Sequence, residues 1–318
     1  MRVLVTGGAG FIGSHVVEHY LAAGCDVAVV DDLSTGHREN VPPDVQLYVC
    51  DIRDAALTEV LNEFQPDIIN HHAAQMSVRV SIQEPRRDAS INVEGTINLL
   101  ECARGSAVRK VIYASTGGAL YGEPRYLPCD EDHPVVPLSH YGISKHTVEH
   151  YLELYAQLYG LDYTVLRYPN VYGPRQDPHG EAGVVAIFAG SMLADEPVSI
   201  FGDGTQQRDF VYVSDVAKAS VSAMTLGSRA TVNLGSGKGT SVLDIYTGLA
   251  NVLNYHRRPI FRRPRLGEVY RIYLTGTRAR RQLEWTPEVS LEAGLARTVA
   301  ALRAAGARPV TEAPSAAL

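Results

Sequence analysis

Two residues of this chain are spaced to share one proton. Tyr141-Gly142-Ile143-Ser144-Lys145 opens a strongly helical segment. A separation of four places Tyr141 and Lys145 on one helix face. A free tyrosine keeps its proton up to a pH of about 10, but a neighbouring ammonium favours the phenolate. Tyr141 is therefore a candidate general base near neutral pH, with Lys145 as its electrostatic partner. With 17 tyrosines in the chain, such a pair also arises by chance, so it needs support from elsewhere. Ala114-Ser115-Thr116-Gly117-Gly118 closes a run that reads as a strand. Active groups of open α/β sheets gather at the carboxyl ends of strands, so a hydroxyl at Ser115 or Thr116 is placed to orient a substrate hydroxyl.

A second constellation lies at the start of the chain. Thr6-Gly7-Gly8-Ala9-Gly10-Phe11-Ile12-Gly13 follows one strand pattern and opens a helix pattern. Glycines here make a tight turn, let the backbone approach a pyrophosphate, and let the helix lie close on the strand. The helix N-terminus then offers free N–H groups to the phosphates. Asp31 ends the next strand and is placed to accept from the adenosine ribose hydroxyls. A 2′-phosphate would meet a like charge there, so NAD is expected rather than NADP. Arg38 is the one nearby residue that favours the phosphorylated form.

The elements that must carry these groups can be read from hydrophobic period. Strand patterns occupy Arg2–Thr6, Val27–Asp31, Val45–Val49, Asp67–His71, Lys110–Ala114 and Tyr163–Arg167. Helical patterns occupy Ile12–Ala23, Ala55–Phe64, Ala89–Arg104 and Ser144–Tyr159. Strands alternating with helices imply a doubly wound α/β fold: a parallel sheet of the Rossmann kind, covered on both faces. Residues 168–181 carry three prolines and two glycines and read as a long irregular segment. The domain reading is a nucleotide-binding domain over 1–168, with about 208–237 returning to it. A smaller α/β substrate domain takes 169–207 and 238–305, and 306–318 is a tail.

Composition narrows the function classes. The 318 residues carry a net charge of −6, with 45% hydrophobic and 20% charged residues, an ordinary globular balance that disfavours nucleic-acid binding. The arginines at 257, 258, 262, 263 and 265 are a local exception that reads as solvated surface or a phosphate pocket. No apolar run approaches the roughly 20 residues of a membrane span. The first strand begins at residue 2, which leaves no room for a signal peptide. The four cysteines fit no metal pattern and read as free thiols, and His71-His72 reads as a packing element rather than a metal pair. A cytoplasmic location is expected.

With these residues assembled, the chain resembles the extended short-chain dehydrogenases/reductases, and among them most closely the UDP-glucose (UDP-galactose) 4-epimerases. The similarity covers about residues 1 to 300. Besides the segments above it rests on Asp31-Asp32-Leu33-Ser34-Thr35-Gly36, His72-Ala73-Ala74, Asn92, Arg167–Pro174, Phe201–Gly204, Arg208–Val211 and Arg265-Leu266-Gly267-Glu268. The resemblance implies NAD held by Gly7, Gly10, Phe11, Ile12, Gly13, Asp31, Asp32, Ser34, Thr35 and Gly36. Asp51 and Ile52 would meet the adenine. Ala73 and Ala74 would line the nicotinamide side, and His72, Asn92, Ser115, Tyr141, Lys145 and Tyr168 would also lie at the cofactor. It implies a catalytic trio of Tyr141, Lys145 and a strand-end hydroxyl. Counting forward along the strand selects Thr116, whereas counting back from Tyr121-Gly122 reaches Gly117. A one-residue insertion among the glycines reconciles the two in favour of Thr116. The UDP-sugar would be held by Thr116, Gly117, Gly118, Tyr141, Asn170, Val184, Phe201, Arg208, Arg265 and Glu268, with guanidinium groups suited to bidentate phosphate binding. Met76 stands where some epimerases carry lysine.

Relatives that eliminate water or lose carbon dioxide carry a carboxylate just after the strand-end hydroxyl. This chain has Gly117-Gly118-Ala119 there, which leaves oxidation at sugar C4 followed by plain return as the expected reaction. A dehydratase, a decarboxylase or a UDP-glucuronate 4-epimerase is the alternative, and a non-catalytic NAD-binding protein a distant one. The apolar stripe Val148, Tyr151, Leu152, Tyr155, Leu158 and Tyr159 is wider than one sheet-facing side needs, which implies a homodimer through paired helices.

Overall fold

The computed structural model describes residues 1–178, 183–264 and 269–306. In the first half, β-branched runs and amphipathic stretches alternate as strands and helices. In chain order they are β1 (Arg2–Thr6), α1 (Phe11–Ala22), β2 (Asp26–Asp31), β3 (Gln46–Val49), α2 (Leu57–Phe64), β4 (Ile68–His71), α3 (Val78–Gln83), α4 (Pro85–Ala89), α5 (Gly95–Arg104), β5 (Lys110–Thr116), α6 (His140–Tyr159) and β6 (Asp162–Tyr168). The second half is less regular. It contains β7 (Asn170–Tyr172), α7 (Val184–Leu193), β8 (Ser199–Phe201), β9 (Gln207–Arg208), β10 (Phe210–Tyr212), α8 (Val213–Ser222), β11 (Ala230–Asn233), β12 (Thr240–Ser241), α9 (Val242–Leu253), β13 (Ile260–Arg262), β14 (Arg271–Ile272), α10 (Thr277–Leu283) and α11 (Leu291–Ala304).

Seven strands form one parallel sheet in the order β11-β6-β5-β4-β1-β2-β3. The winding direction reverses between β1 and β4, and in such sheets the crevice at that switch point, outside the strand carboxyl ends, is where ligands bind. The strand period of two sorts β1 onto both layers. Val3 and Val5 pack with Val16, Val17 and Val213 on one face, and Leu4 packs with Leu99, Leu100, Val148 and Leu152 on the other. A third cluster around Phe188, Ile200, Ile245 and Leu295 holds the C-terminal elements together. Trp285 anchors these elements to the first layer, its indole N–H donating to the Asp215 carbonyl at 2.7 Å. Among the described residues no helix is long and apolar enough to cross a membrane.

Four local differences from the sequence expectation matter for the site. β5 runs two residues further, because its pairing with β6 continues through Ser115–Arg167 and Thr116–Tyr168. α6 starts four residues earlier than expected. Ser139 caps it, its hydroxyl accepting from the Gly142 N–H at 3.1 Å, so Tyr141 lies in the first turn. The helix expected from Ala89 begins at Pro85 and passes through a π-helical turn at Ser90–Glu94. Within 168–181, expected to be irregular throughout, β7 pairs in parallel with β10. β7 and β11, at three and four residues, are too short to show a period.

Candidate active site

The turn after β1 is built as a cradle. Gly7 has φ +70°, and a Cβ there would lie 2.6 Å from the Ala73 nitrogen. A Cβ on Gly13 would lie 2.1 Å from the Gly7 carbonyl oxygen. These glycines therefore let β1, α1 and the segment after β4 converge. No side chain caps the N-terminus of α1 at Gly10, so its first N–H groups are left for an acceptor from outside. Phe11 and Ile12, half-buried, begin that helix. Asp31 braces the turn, accepting from the Ala9 N–H and the Leu33 N–H at 2.9 Å each. Burial raises its pKa, and those two N–H donors oppose the rise. Each Asp31 oxygen retains a second lone pair for a hydroxyl. Asp32 accepts from the Ser34 N–H and hydroxyl, and Asp32, Ser34 and Thr35 are exposed at the rim. A Cβ on Gly36 would lie 2.7 Å from the Asp31 carboxylate. Asp51 is held below the usual carboxylate range by the Arg53 guanidinium hydrogen-bonded to it, with Ile52 buried beside it. These residues fit a dinucleotide: an open helix end for phosphate and a braced carboxylate for ribose.

At the switch point the ends of β1 and β4 are joined by a satisfied chain of hydrogen bonds. Thr96 donates to the Asn92 carbonyl at 2.6 Å, so it must accept from His71 Nε2 at 2.9 Å. His71 Nδ1 then accepts from the Thr6 hydroxyl at 2.7 Å. Burial lowers the His71 pKa well below its ordinary value and keeps the ring neutral. The next residue differs. His72 Nε2 meets the Tyr168 hydroxyl at 3.0 Å, whereas its Nδ1 is buried without a partner. Burial, with the Lys145 charge, pushes the His72 pKa down to about 3. Ala73 and Ala74 follow, both half-buried.

The structure brings Tyr141, Lys145 and Thr116 together. The Thr116 hydroxyl lies beside the Tyr141 phenol and acts to lower its pKa. Lys145 Nζ lies 5.9 Å from the Tyr141 ring centroid and 4.9 Å from that of Tyr113, and it donates to the Ala114 carbonyl at 2.9 Å. Burial raises the Tyr141 pKa above the ordinary phenol value, the Asp88 charge raises it further, and the Thr116 hydroxyl acts against both. Burial brings Lys145 down to about 8, with Asp88 and Glu149 resisting the fall. Lys145 thus remains an ammonium at neutral pH.

Ser115 does not join this group. Its hydroxyl donates to Glu149 at 2.6 Å, which turns it away from Tyr141. Nor is the Asn92 side chain open to a cofactor. It accepts from the Gln75 N–H and donates to the Gln75 carbonyl and to Asp88, which makes it a brace for the loop after β4. On the substrate side, a Cβ on Gly118 would lie 3.7 Å from Asn170 Oδ1 and 4.0 Å from Thr116 Oγ1, so these three residues border one space. Gly117 is closed off, since a Cβ there would lie 2.2 Å from a Leu274 methyl. The Asn170 N–H donates to the Asp209 carbonyl at 2.9 Å, which places β7 next to Arg208. The Arg208 guanidinium donates to the Gln207 carbonyl at 2.9 Å and to that of Tyr270 at 3.3 Å. Val184 opens α7 and Phe201 ends β8, both half-buried. Arg265 and Glu268 lie outside the described residues.

Three buried carboxylates escaped the sequence reading as site residues. Glu149 continues the Tyr141–Lys145 face by another four residues, and that spacing was the signal for it. Arg167 clasps it at 2.6 and 3.0 Å and also reaches the Tyr121 hydroxyl at 2.9 Å. Asp209 binds Ser236 and the Leu274 N–H, and burial raises it to about 6. Asp88 has no local signal at all.

Residues 3–235 match the family described as the NAD dependent epimerase/dehydratase family. The chain belongs to that family. A UDP-glucose 4-epimerase of Mycolicibacterium smegmatis is 47% identical over 305 residues, 94% of this chain and 97% of that one. The crystal structure of a Thermotoga maritima UDP-glucose 4-epimerase with UDP-glucose superposes with a TM-score of 0.94 at 47% identity, covering 96% of this chain and 99% of that one. That of a Thermus thermophilus UDP-glucose 4-epimerase in complex with NAD gives 0.90 at 45%, covering 96% and 100%. This NAD-dependent chain carries its glycine cradle and the Tyr141, Lys145 and Thr116 side chains at one strand-end crevice.

The buried Glu149–Arg167 pair behind that cluster makes a testable contribution to stability. Burial alone raises the Glu149 pKa, but hydrogen bonds from His146, Arg167 and Ser115 overcome it and hold the group at about 2. A depressed carboxylate stabilises the fold above its unfolded pKa of about 4.3, and that contribution is lost as pH falls through the folded value. Arg167→Met should cost about 3–5 kcal/mol in urea unfolding at neutral pH, the usual effect of orphaning a buried charge. The gap to wild type should narrow as pH falls, from the raised pKa of the orphaned Glu149 down through the wild-type value. A gap that does not depend on pH would rule out the ionic origin.

Proposed function

We propose that the chain is a UDP-glucose 4-epimerase, interconverting UDP-glucose and UDP-galactose with NAD held throughout. The observation that carries this reading is the Tyr141–Thr116–Lys145 cluster with no carboxylate at 117–119, beside a cradle fitted to a dinucleotide. NAD, when bound, accepts the two electrons of the C4–H bond and gives them back.

The protein's own residues do the rest. Thr116 holds the sugar C4 hydroxyl against the Tyr141 oxygen, and Tyr141 takes the hydroxyl proton as C4 is oxidised. The Lys145 ammonium lowers the cost of the phenolate. Arg208, with Arg265, holds the diphosphate while the 4-keto sugar turns its other face to the cofactor, and Asn170 keeps the glycosyl unit beside Gly118. Tyr141 then returns the proton to the C4 oxygen. There is no net redox change, so no second acid or base is needed. Positioning and fixed charge carry most of the rate. The four free thiols support a reducing, cytoplasmic location.

The assembly we propose is a homodimer through α6 and its neighbours. Val148, Leu152 and Tyr155 of the stripe are buried against the sheet, while Leu154, Leu158 and Tyr159 remain 44%, 61% and 48% exposed. A helix that leaves such residues uncovered suits a two-fold contact with a second copy.

Two measurements test these readings. Tyr141→Phe should lower turnover of UDP-glucose to UDP-galactose by at least about 10²-fold, the usual contribution of a general base, with nucleotide binding retained. Wild-type turnover in that variant would remove Tyr141 from the role, and conversion of UDP-glucuronate in preference to UDP-glucose would move the substrate assignment. Light scattering at micromolar concentration should give twice the 34.6 kDa chain mass, and a mass equal to one chain would reject the interface.

A further inference from the structure

We propose that Asp88 is a positioning residue of the catalytic pair: a fixed buried carboxylate that ties α6 to the loop after β4 and sustains the Lys145 ammonium. The kinetic part of this proposal rests on the epimerase reading, and the structural part does not.

Asp88 is fully buried on the five-residue helix α4, while Arg86 and Arg87 beside it are exposed. Its Oδ1 accepts from Gln75 Nε2 at 2.8 Å and from Asn92 Nδ2 at 3.1 Å, and its Oδ2 accepts from the Ser144 hydroxyl at 2.6 Å. Backbone partners fix the orientation of both amides. Asn92 accepts from the Gln75 N–H and donates to the Gln75 carbonyl. Gln75 accepts from the Ser77 N–H and donates to the Ser77 carbonyl. Each amide is therefore obliged to turn an N–H toward Asp88. A carboxylate satisfies these donors, whereas a carboxyl proton on that side would face N–H groups.

All three partners are neutral. They solvate the charge without cancelling it, so its field acts on whatever is near. Ser144 immediately precedes Lys145, and Tyr141 lies one turn back on the same helix. The negative charge raises the proton affinity of both Tyr141 and Lys145. Among the other titratable groups around the pair, Glu149 also favours the Lys145 ammonium, but it has a partner of its own. Glu149 is matched by Arg167 from β6. Burial keeps His71 and His72 neutral, and it keeps the Tyr113 phenol of β5 protonated. Asp88 is thus the charge that offsets the desolvation of Lys145 without a guanidinium of its own.

The chain has four lysines, at 110, 145, 218 and 238, so the Lys145 titration can be followed directly by NMR. The sample is the NAD-loaded protein grown with [ε-13C]lysine, the Lys145 signal being the one absent in Lys145→Arg. Asp88→Asn keeps the side-chain size and removes the charge. It should move the Lys145 midpoint at least about one pH unit lower, as expected for loss of a nearby opposite charge. Ser144→Ala removes a hydrogen bond but no charge and should leave the midpoint in place. In turnover, Asp88→Asn should move both limbs of the pH–rate profile to lower pH, whereas a purely packing role would lower the rate without moving the limbs. An unmoved Lys145 midpoint in Asp88→Asn overturns the proposal. Should that variant not fold, the wild-type protein labelled at its aspartate carboxyl carbons decides. The Asp88 carbon should show an inflection as Lys145 titrates, and a flat trace overturns the proposal. The NMR arms read the charge coupling even if the protein epimerises no UDP-sugar.

Discussion

The reacting end of the sheet depends on keeping one ammonium charged in a buried place. Lys145 is 4% exposed, and desolvation on that scale drives a lysine toward its neutral form. A neutral amine could not stabilise a phenolate on Tyr141. The fold answers with two carboxylates, Glu149 one turn further along α6 and Asp88 brought in from α4, which hold Lys145 at about 8. Much of the local architecture follows from that requirement. Glu149 is itself buried and so calls for Arg167, which β6 supplies through its register with Ser115. Asp88 calls for donors, which Gln75, Asn92 and Ser144 supply. The π-helical turn carries Asn92 between the loop after β4 and Asp88, so even that irregularity serves the same cluster.

The cofactor side meets a different constraint, which is close backbone approach. β1, the N-terminus of α1 and the segment after β4 meet where Gly7 and Gly13 leave no space for a Cβ. Asp31 then does two things with one side chain: it fastens the turn through the Ala9 and Leu33 N–H groups and presents spare lone pairs to a ribose. The turn and the carboxylate position each other, which is why the spacing from the glycines to Asp31 carried so much information.

What could be read from the sequence was what is local. The glycine turn, the Tyr141–Lys145 spacing and six of the seven parallel strands declare themselves within short windows, because the period of a helix or a strand is a property of neighbours. Glu149 was within reach of the same reasoning, being the next step of an i,i+4 series. Asp88 was not. Its partners at 75, 92 and 144 come from separate segments, and nothing in Arg86-Arg87-Asp88-Ala89 marks the acid as buried rather than solvated. The same limit explains Ser115 and Asn92: the resemblance implied contact with the cofactor, but long-range pairing with Glu149 and Gln75 determines where their polar atoms point. β7 and β11 are recognisable only through the strands they join.

In the proposed reaction a single carbon of a bound sugar nucleotide gives up its hydride and receives the same hydride back, with nothing released to solvent. UDP-glucose carrying deuterium at C4, incubated with the purified protein in ordinary water, tests it most directly. The product should be UDP-galactose with the deuterium still at C4 and none in the solvent, because Tyr141 exchanges only the hydroxyl proton. Appearance of the epimer with its C4 deuterium replaced by solvent hydrogen would contradict it, since that carbon would then be losing a proton to a base that the site does not contain.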